Sequence, residues 1–87
     1  MIKLNVIEAE CAALFASELQ QSDAPTGDAV TEAARRAVRR LGVRGCEGLM
    51  AQEFGDHPEA ALDRMRWVRQ LVRELHTARF YVGPRAA

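Results

Sequence analysis

The sequence predicts a single all-α domain of about four helices, and three observations support this prediction. Apolar residues recur at three- and four-residue spacing over most of the chain, which is the period of an amphipathic helix. Polar residues that can cap a helix precede these stretches, and glycines follow two of them. A chain of 87 residues is long enough for one small core, so residues 1–87 are predicted to form one domain.

The first predicted helix covers residues 6–21. Asn5 and Glu8 have the spacing of a capping box, in which each side chain accepts a hydrogen bond from a free backbone N–H group at the helix start. Before this helix, apolar residues alternate in segment 2–6, which also permits a short terminal β-strand. Turn-forming residues fill segment 22–27 and indicate a linker. The apolar residues expected on one side of the helix are Ile7, Cys11, Leu14, Phe15 and Leu19.

The second predicted helix covers residues 27–41, with Thr26 as its cap and Gly42 as its stop. Glu32 lies one turn before Arg36, which is the favoured orientation for an ion pair along a helix. The apolar stripe of this helix contains Val30, Ala33, Ala34, Ala37, Val38 and Leu41.

Two further helices are predicted over residues 45–54 and 57–76. Gly55 is expected to end the third helix, and Asp56 to cap the fourth. An apolar tail at 79–82 follows, and it can form a strand paired with residues 2–6, cover the core, or contact a second subunit. The core stripe predicted for the fourth helix contains Ala61, Met65, Val68, Val72 and Leu75.

Composition excludes several classes of protein. Twelve basic and twelve acidic residues cancel, so no overall field attracts nucleic acid or an anionic membrane. No apolar run approaches the roughly 20 residues of a membrane span, and the N-terminus does not resemble a secretion signal. With two unclustered cysteines, the chain is expected in a reducing cytoplasm, and its preference for arginine over lysine is typical of GC-rich bacterial genomes.

No pattern of reactive residues indicates catalysis. The spacings of Cys11, Cys46, His57 and His76 match no zinc motif, so neither a metal nor another cofactor is expected. Cys46 follows Arg44 near a predicted helix start, where a thiol can become reactive, but its place in the apolar stripe favours a buried structural role. The chain also lacks a catalytic triad pattern and a phosphate-binding glycine loop, and we do not expect an enzyme.

The segment from Cys46 to Val68 resembles the helix-turn-helix pattern of DNA-binding proteins. Ala51 lies four residues before Gly55, as do the small residue and the turn glycine of that pattern. The resemblance covers about a quarter of the chain, and it departs from the pattern where Arg64 occupies a position expected to be apolar. It implies DNA contacts from the fourth helix, and the arginines that would make them are Arg66, Arg69 and Arg73.

A contact surface for another protein is the preferred interpretation. Trp67, Arg64 and Leu71 combine the residue types that are enriched at interface hot spots. Phe80 and Tyr81 add apolar side chains beside them. The sequence therefore predicts a non-catalytic protein-interaction or self-associating module, most simply a homodimer, with a helix-turn-helix-like DNA-binding protein as the alternative. The competing interpretation of Trp67 is that its ring closes the core of the monomer.

Overall fold

Residues 6–80 form three α-helices. The structure, a computed structural model, describes residues 6–80 and the side chains of residues 6–77. The predicted all-helical class is confirmed, and no strand occurs between residues 6 and 80. Asn5 and most of segment 2–6 lie outside the described residues. The elements in chain order are α1 (Val6–Ala16), a short 3-10 helix (Gln21–Asp23), α2 (Gly27–Asp56) and α3 (Pro58–Phe80).

The predicted second and third helices are one element, so the expected count of about four helices is corrected to three. Thr26 caps α2 as predicted, because its hydroxyl accepts a hydrogen bond from the Ala29 N–H group at 3.2 Å. Gly42 does not stop the helix but bends it, with φ 74° and ψ 163°. That backbone conformation is essentially restricted to glycine. The bend divides α2 into a first segment, 27–41, and a second segment, 43–56.

α1 ends at Ala16 and not at residue 21, because side-chain hydrogen bonds of Ser17 replace the backbone hydrogen bonds that would continue the helix. The Ser17 hydroxyl donates to the Leu14 carbonyl at 2.7 Å, and it accepts from the Leu19 N–H group at 3.2 Å. Local bonds of this kind compete with helix continuation. The chain then turns through the 3-10 helix toward α2.

α1 is the central helix of the fold. Its six residues from Cys11 to Ala16 are all buried, whereas Ile7 is 47% exposed. The prediction that α1 buries one side is therefore wrong. A helix that is apolar all round is typically buried on every side, and alanine side chains at positions 12, 13 and 16 let the neighbouring helices approach closely.

The core surrounds α1 as two groups of buried residues. The larger group joins all three helices and consists of Cys11, Leu14, Phe15, Val30, Ala61, Met65, Val68 and Val72. The smaller group joins α1 to both segments of α2 and consists of Ala12, Ala13, Ala16, Ala37 and Cys46. The Cys46 thiol donates to the Ala37 carbonyl at 3.7 Å, so it links the two segments across the bend.

A single residue, His57, separates α2 from α3. Its φ of −139° and ψ of 68° lie outside the α region, which is disfavoured for a residue that precedes proline. Its carbonyl accepts the first hydrogen bond of α3, from the Ala61 N–H group at 2.8 Å. The predicted boundary residues are therefore corrected. Gly55 and Asp56 belong to α2, and His57 takes the capping position that Asp56 was expected to hold.

α3 is longer than predicted and includes residues 79 and 80, so a strand beginning at residue 79 is excluded. Residues 81 and 82 of the apolar tail lie outside the described part. The expected ion pair between Glu32 and Arg36 is present at 3.8 Å, and Arg39 approaches the same carboxylate at 3.3 Å.

Candidate functional site

Arg64 is half-buried against the end of α1. Its Nε donates to the Phe15 carbonyl at 2.9 Å, and its Nη2 donates to the carbonyls of Leu14 at 3.2 Å and Ser17 at 3.0 Å. The last turn of α1 carries no basic residue of its own. Arg64 therefore supplies, from α3, the cation that the free carbonyls at a helix C-terminus favour.

Trp67 and Leu71, the other predicted interface residues of α3, pack beside the larger core group and are partly buried. The Arg64 guanidinium carbon lies 5.5 Å from the Trp67 ring centre and 5.7 Å from that of Phe15. These distances are within the range of cation–π contacts. The structure thus brings Arg64 and Trp67 together in contacts within one chain. The side chains of Phe80 and Tyr81 lie outside the described residues.

A groove lined by charged residues lies between α1, the second segment of α2, and α3. We call it the charged groove. It encloses about 670 Å³, and buried or half-buried apolar residues such as Cys11, Met50 and Met65 form its floor. Glu8 and Glu47 contribute negative charge from α1 and α2. Positive charge comes from α3, and the two arginines that line the groove are Arg69 and Arg73.

The four charged residues of this groove have no salt-bridge partner in the described part of the chain; they are Glu8, Glu47, Arg69 and Arg73. Burial raises the pKa of the Cys11 thiol between them, while the charge of Arg69 opposes that rise and those of Glu10 and Glu8 add to it. The groove thus has acidic and basic sides around an apolar floor.

A second groove lies between α1, the first segment of α2 and the end of α3. We call it the apolar groove. It encloses about 580 Å³ and is lined mainly by apolar side chains, with Val6 67% exposed and Val38 36% exposed at its edges. Small residues such as Ala13 and Ala34 leave its floor open. Val38 belongs to the apolar stripe predicted for the second helix, but it faces this groove instead of the core.

Arginines dominate the free charge at the edge of the apolar groove. Arg35 forms no salt bridge with any described residue. Arg39 is the other arginine at the edge, and it pairs with Glu32 at 3.3 Å. The acidic residue of the lining, Glu10, is engaged by His76, whose Nε2 lies 2.6 Å from its carboxylate.

The three arginines proposed as DNA contacts are exposed on α3, and Arg66 lies 3.9 Å from Asp63. The helix-turn-helix resemblance is weaker in the structure than in the sequence. That motif joins its helices through a turn of three or four residues that often contains glycine. Here one residue, His57, joins them, and Gly55 is helical.

The cysteines and histidines do not converge. Cys46 is fully buried, and burial raises the pKa of its thiol. Within residues 6–80, no three His, Cys, Asp or Glu side chains are placed to hold a metal ion. His76 lies within α3, and its Nε2 contacts the Glu10 carboxylate of α1. No helix in the described part combines the length and apolar character needed to cross a bilayer.

Sequence reasoning predicted neither groove. Each groove is built from three helices, so its lining residues are far apart in the chain and share no local spacing. One signal was present, since α1 has more apolar positions than a single buried face requires. Comparison with models of protein families, with curated proteins and with solved structures finds no match to this chain.

Proposed function

We propose that this protein is a non-catalytic interaction module that self-associates through the charged groove. The observation that supports the proposal is the unpaired charge around an apolar floor. Glu8 and Glu47 on one side, and Arg69 and Arg73 on the other, have no ion-pair partner in the described part of the chain. A second copy supplies the matching charges for both sides at once.

Two-fold symmetry is the reason one groove can serve both copies. In such an interface the same patch is used twice, so a residue i contacts j of the partner while j contacts i. A groove with separated acidic and basic sides is complementary to itself in this arrangement. Glu47 of each copy then faces Arg69 of the other, and like charges stay apart.

The floor of the charged groove supplies the apolar part of the interface. Met50 is half-buried, and Ile7 beside it is 47% exposed. Flexible methionine side chains adapt to an opposing surface. Both cysteines of the described chain are free and buried, which agrees with action in the reducing cytoplasm as part of this proposal.

Charge reversal tests the pairing directly. Sedimentation equilibrium should show a monomer–dimer equilibrium for the unaltered protein. Glu47→Arg and Arg69→Glu should each weaken dimerisation at least about tenfold, because each variant opposes like charges across its own dimer. An equimolar mixture of the two variants should form mixed dimers, since in the mixed pair every contact joins opposite charges.

Arg66→Glu is the matched control. It makes the same charge change on the same helix, but the Arg66 side chain is 71% exposed and lies outside the charged groove. This variant should dimerise normally. A protein that remains monomeric at millimolar concentration, or a mixture that fails to dimerise although each variant is folded, would contradict the proposal.

DNA binding is the second candidate, because Arg69 and Arg73 are exposed on one helix and form no salt bridge with a described residue. Neutralisation of phosphates makes affinity fall steeply with salt concentration. If α3 binds a duplex, Arg66→Glu and Arg69→Glu should both abolish binding of mixed-sequence DNA at low salt. Self-association instead predicts that Arg69→Glu weakens dimerisation and that Arg66→Glu does not. The nearby Glu8 and Glu47 favour the protein partner, since they repel phosphates.

A further inference from the structure

We infer that the apolar groove binds a short amphipathic helix with an acidic flank from a partner protein. This site is distinct from the charged groove used for self-association. The two grooves use different residues of α1. Val6 and Ala13 line the apolar groove, whereas Glu8 and Cys11 line the charged groove. With 3.6 residues per turn, these pairs lie on opposite sides of the helix.

The shape of the groove favours a helix as its occupant. It is open along α1, and its edges carry the exposed side chains of Val6 and Val38. Alanines at positions 13 and 34 leave room on the floor for larger anchoring side chains from outside. Helix-in-groove recognition of this kind uses apolar anchors spaced by three and four residues along one face of the bound helix.

The charge at the edge selects an acidic partner. Arg35 is exposed and has no salt bridge among the described residues, so its charge is available. Arg39 shares Glu32 with Arg36 and is still 65% exposed. The carboxylate of Glu10 is already held by His76. The lining contains two arginines and one glutamate, so its balance of charge is positive, and carboxylates flanking the anchors of the bound helix complement it.

A pair of synthetic peptides tests this inference. Both are fluorescein-labelled amphipathic helices of about 14 residues, roughly 20 Å long, with leucines as anchors. One carries glutamates on its flanks, and the other carries lysines at the same positions. Fluorescence anisotropy with the full-length protein should show that the acidic peptide binds at least about tenfold more tightly at low salt.

Two variants locate the contact. Arg35→Glu should reverse the preference between the two peptides. Arg40→Glu should leave the preference unchanged, because Arg40 lies on the same segment of α2 but lines a different hollow and pairs with Glu18. The amide resonances of Ala34 and Val38 should shift in NMR spectra on addition of the acidic peptide.

Several results would overturn the inference. Equal binding of the two peptides, or binding of neither, would show that the groove does not select acidic helices. Unchanged amide resonances at Ala34 and Val38 would mean that the peptide binds elsewhere or that another part of the chain occupies the groove. A peptide that converts a dimer to monomers would identify a second copy as the occupant. Sedimentation equilibrium of the Arg69→Glu variant without peptide separates this last result from a failure of the charged groove. If the variant still dimerises, the copies do not associate through the charged groove.

Discussion

Arg64 gives the sharpest test of the packing, because one side chain joins α3 to the end of α1. Replacement by alanine removes three hydrogen bonds to the carbonyls of Leu14, Phe15 and Ser17. It also removes the positive charge at a helix C-terminus that has no basic residue in its own last turn. The contacts with the two aromatic rings are lost as well.

The expected cost follows from the size of these interactions. A hydrogen bond from a charged donor contributes about 1.5–3 kcal/mol, and a cation at a helix end adds about 0.3–1 kcal/mol. Because Arg64 is only half-buried, water can replace part of what is lost. We therefore expect Arg64→Ala to lower the free energy of unfolding by the equivalent of one such bond and the helix-end charge, roughly 2–4 kcal/mol.

Urea denaturation followed by far-UV circular dichroism measures this loss at a fixed protein concentration. The free energy of unfolding of Arg64→Lys should lie between those of the unaltered protein and Arg64→Ala. Lysine keeps the charge but lacks the planar guanidinium group that contacts several carbonyls. Arg66→Ala is the control, since its side chain is 71% exposed, and it should change stability by less than about 0.5 kcal/mol. Equal effects of Arg64→Ala and Arg66→Ala would refute the anchoring role.

Three other predictions concern the backbone and the thiols. Gly42→Ala should destabilise the protein by about 1–3 kcal/mol because φ is 74°, whereas Gly48→Ala, at a helical position with open space, should stabilise it by about 0.5–1 kcal/mol; thermal melts compare the two. Thr26→Ala should cost about 1 kcal/mol through loss of the α2 cap, measured by urea denaturation against the neutral change Thr26→Ser. Burial raises the pKa of Cys46 above its ordinary value of 9.0, so the unfolded chain loses this proton at a lower pH than the folded one. Stability should therefore fall as the pH rises above about 9, and Cys46→Ala should reduce the slope; an unchanged slope would contradict the burial argument.

The features that the sequence predicted correctly depend on neighbouring residues. Thr26 caps α2 because its hydroxyl reaches an N–H group three residues away, and Glu32 pairs with Arg36 one turn later. Spacing within one turn is sufficient to predict such contacts.

The features that were missed depend on residues far apart in the chain. Arg64 was recognised as a charge in an apolar flank, but its partners at Leu14 and Phe15 are 49 or 50 residues away. Gly42 was recognised as a helix breaker. Whether a chain stops or bends at a glycine depends on what the following segment packs against, and here Cys46 packs against Ala37 and α1.

The bend at Gly42 is the link between the fold and both proposed surfaces. A straight helix of 30 residues would be roughly 45 Å long and would pass α1 with only part of its length. Because α2 bends, its first segment lines the apolar groove with Ala34 and Val38, and its second segment lines the charged groove with Glu47 and Met50. In the proposed dimer, self-association through the charged groove leaves the apolar groove open, so the dimer would present two of the proposed partner-binding sites at once. A partner with two acidic helices would bind this dimer more tightly through effective concentration alone. A monomeric Arg69→Glu variant would lose that gain, while its affinity for a single acidic helix stayed unchanged.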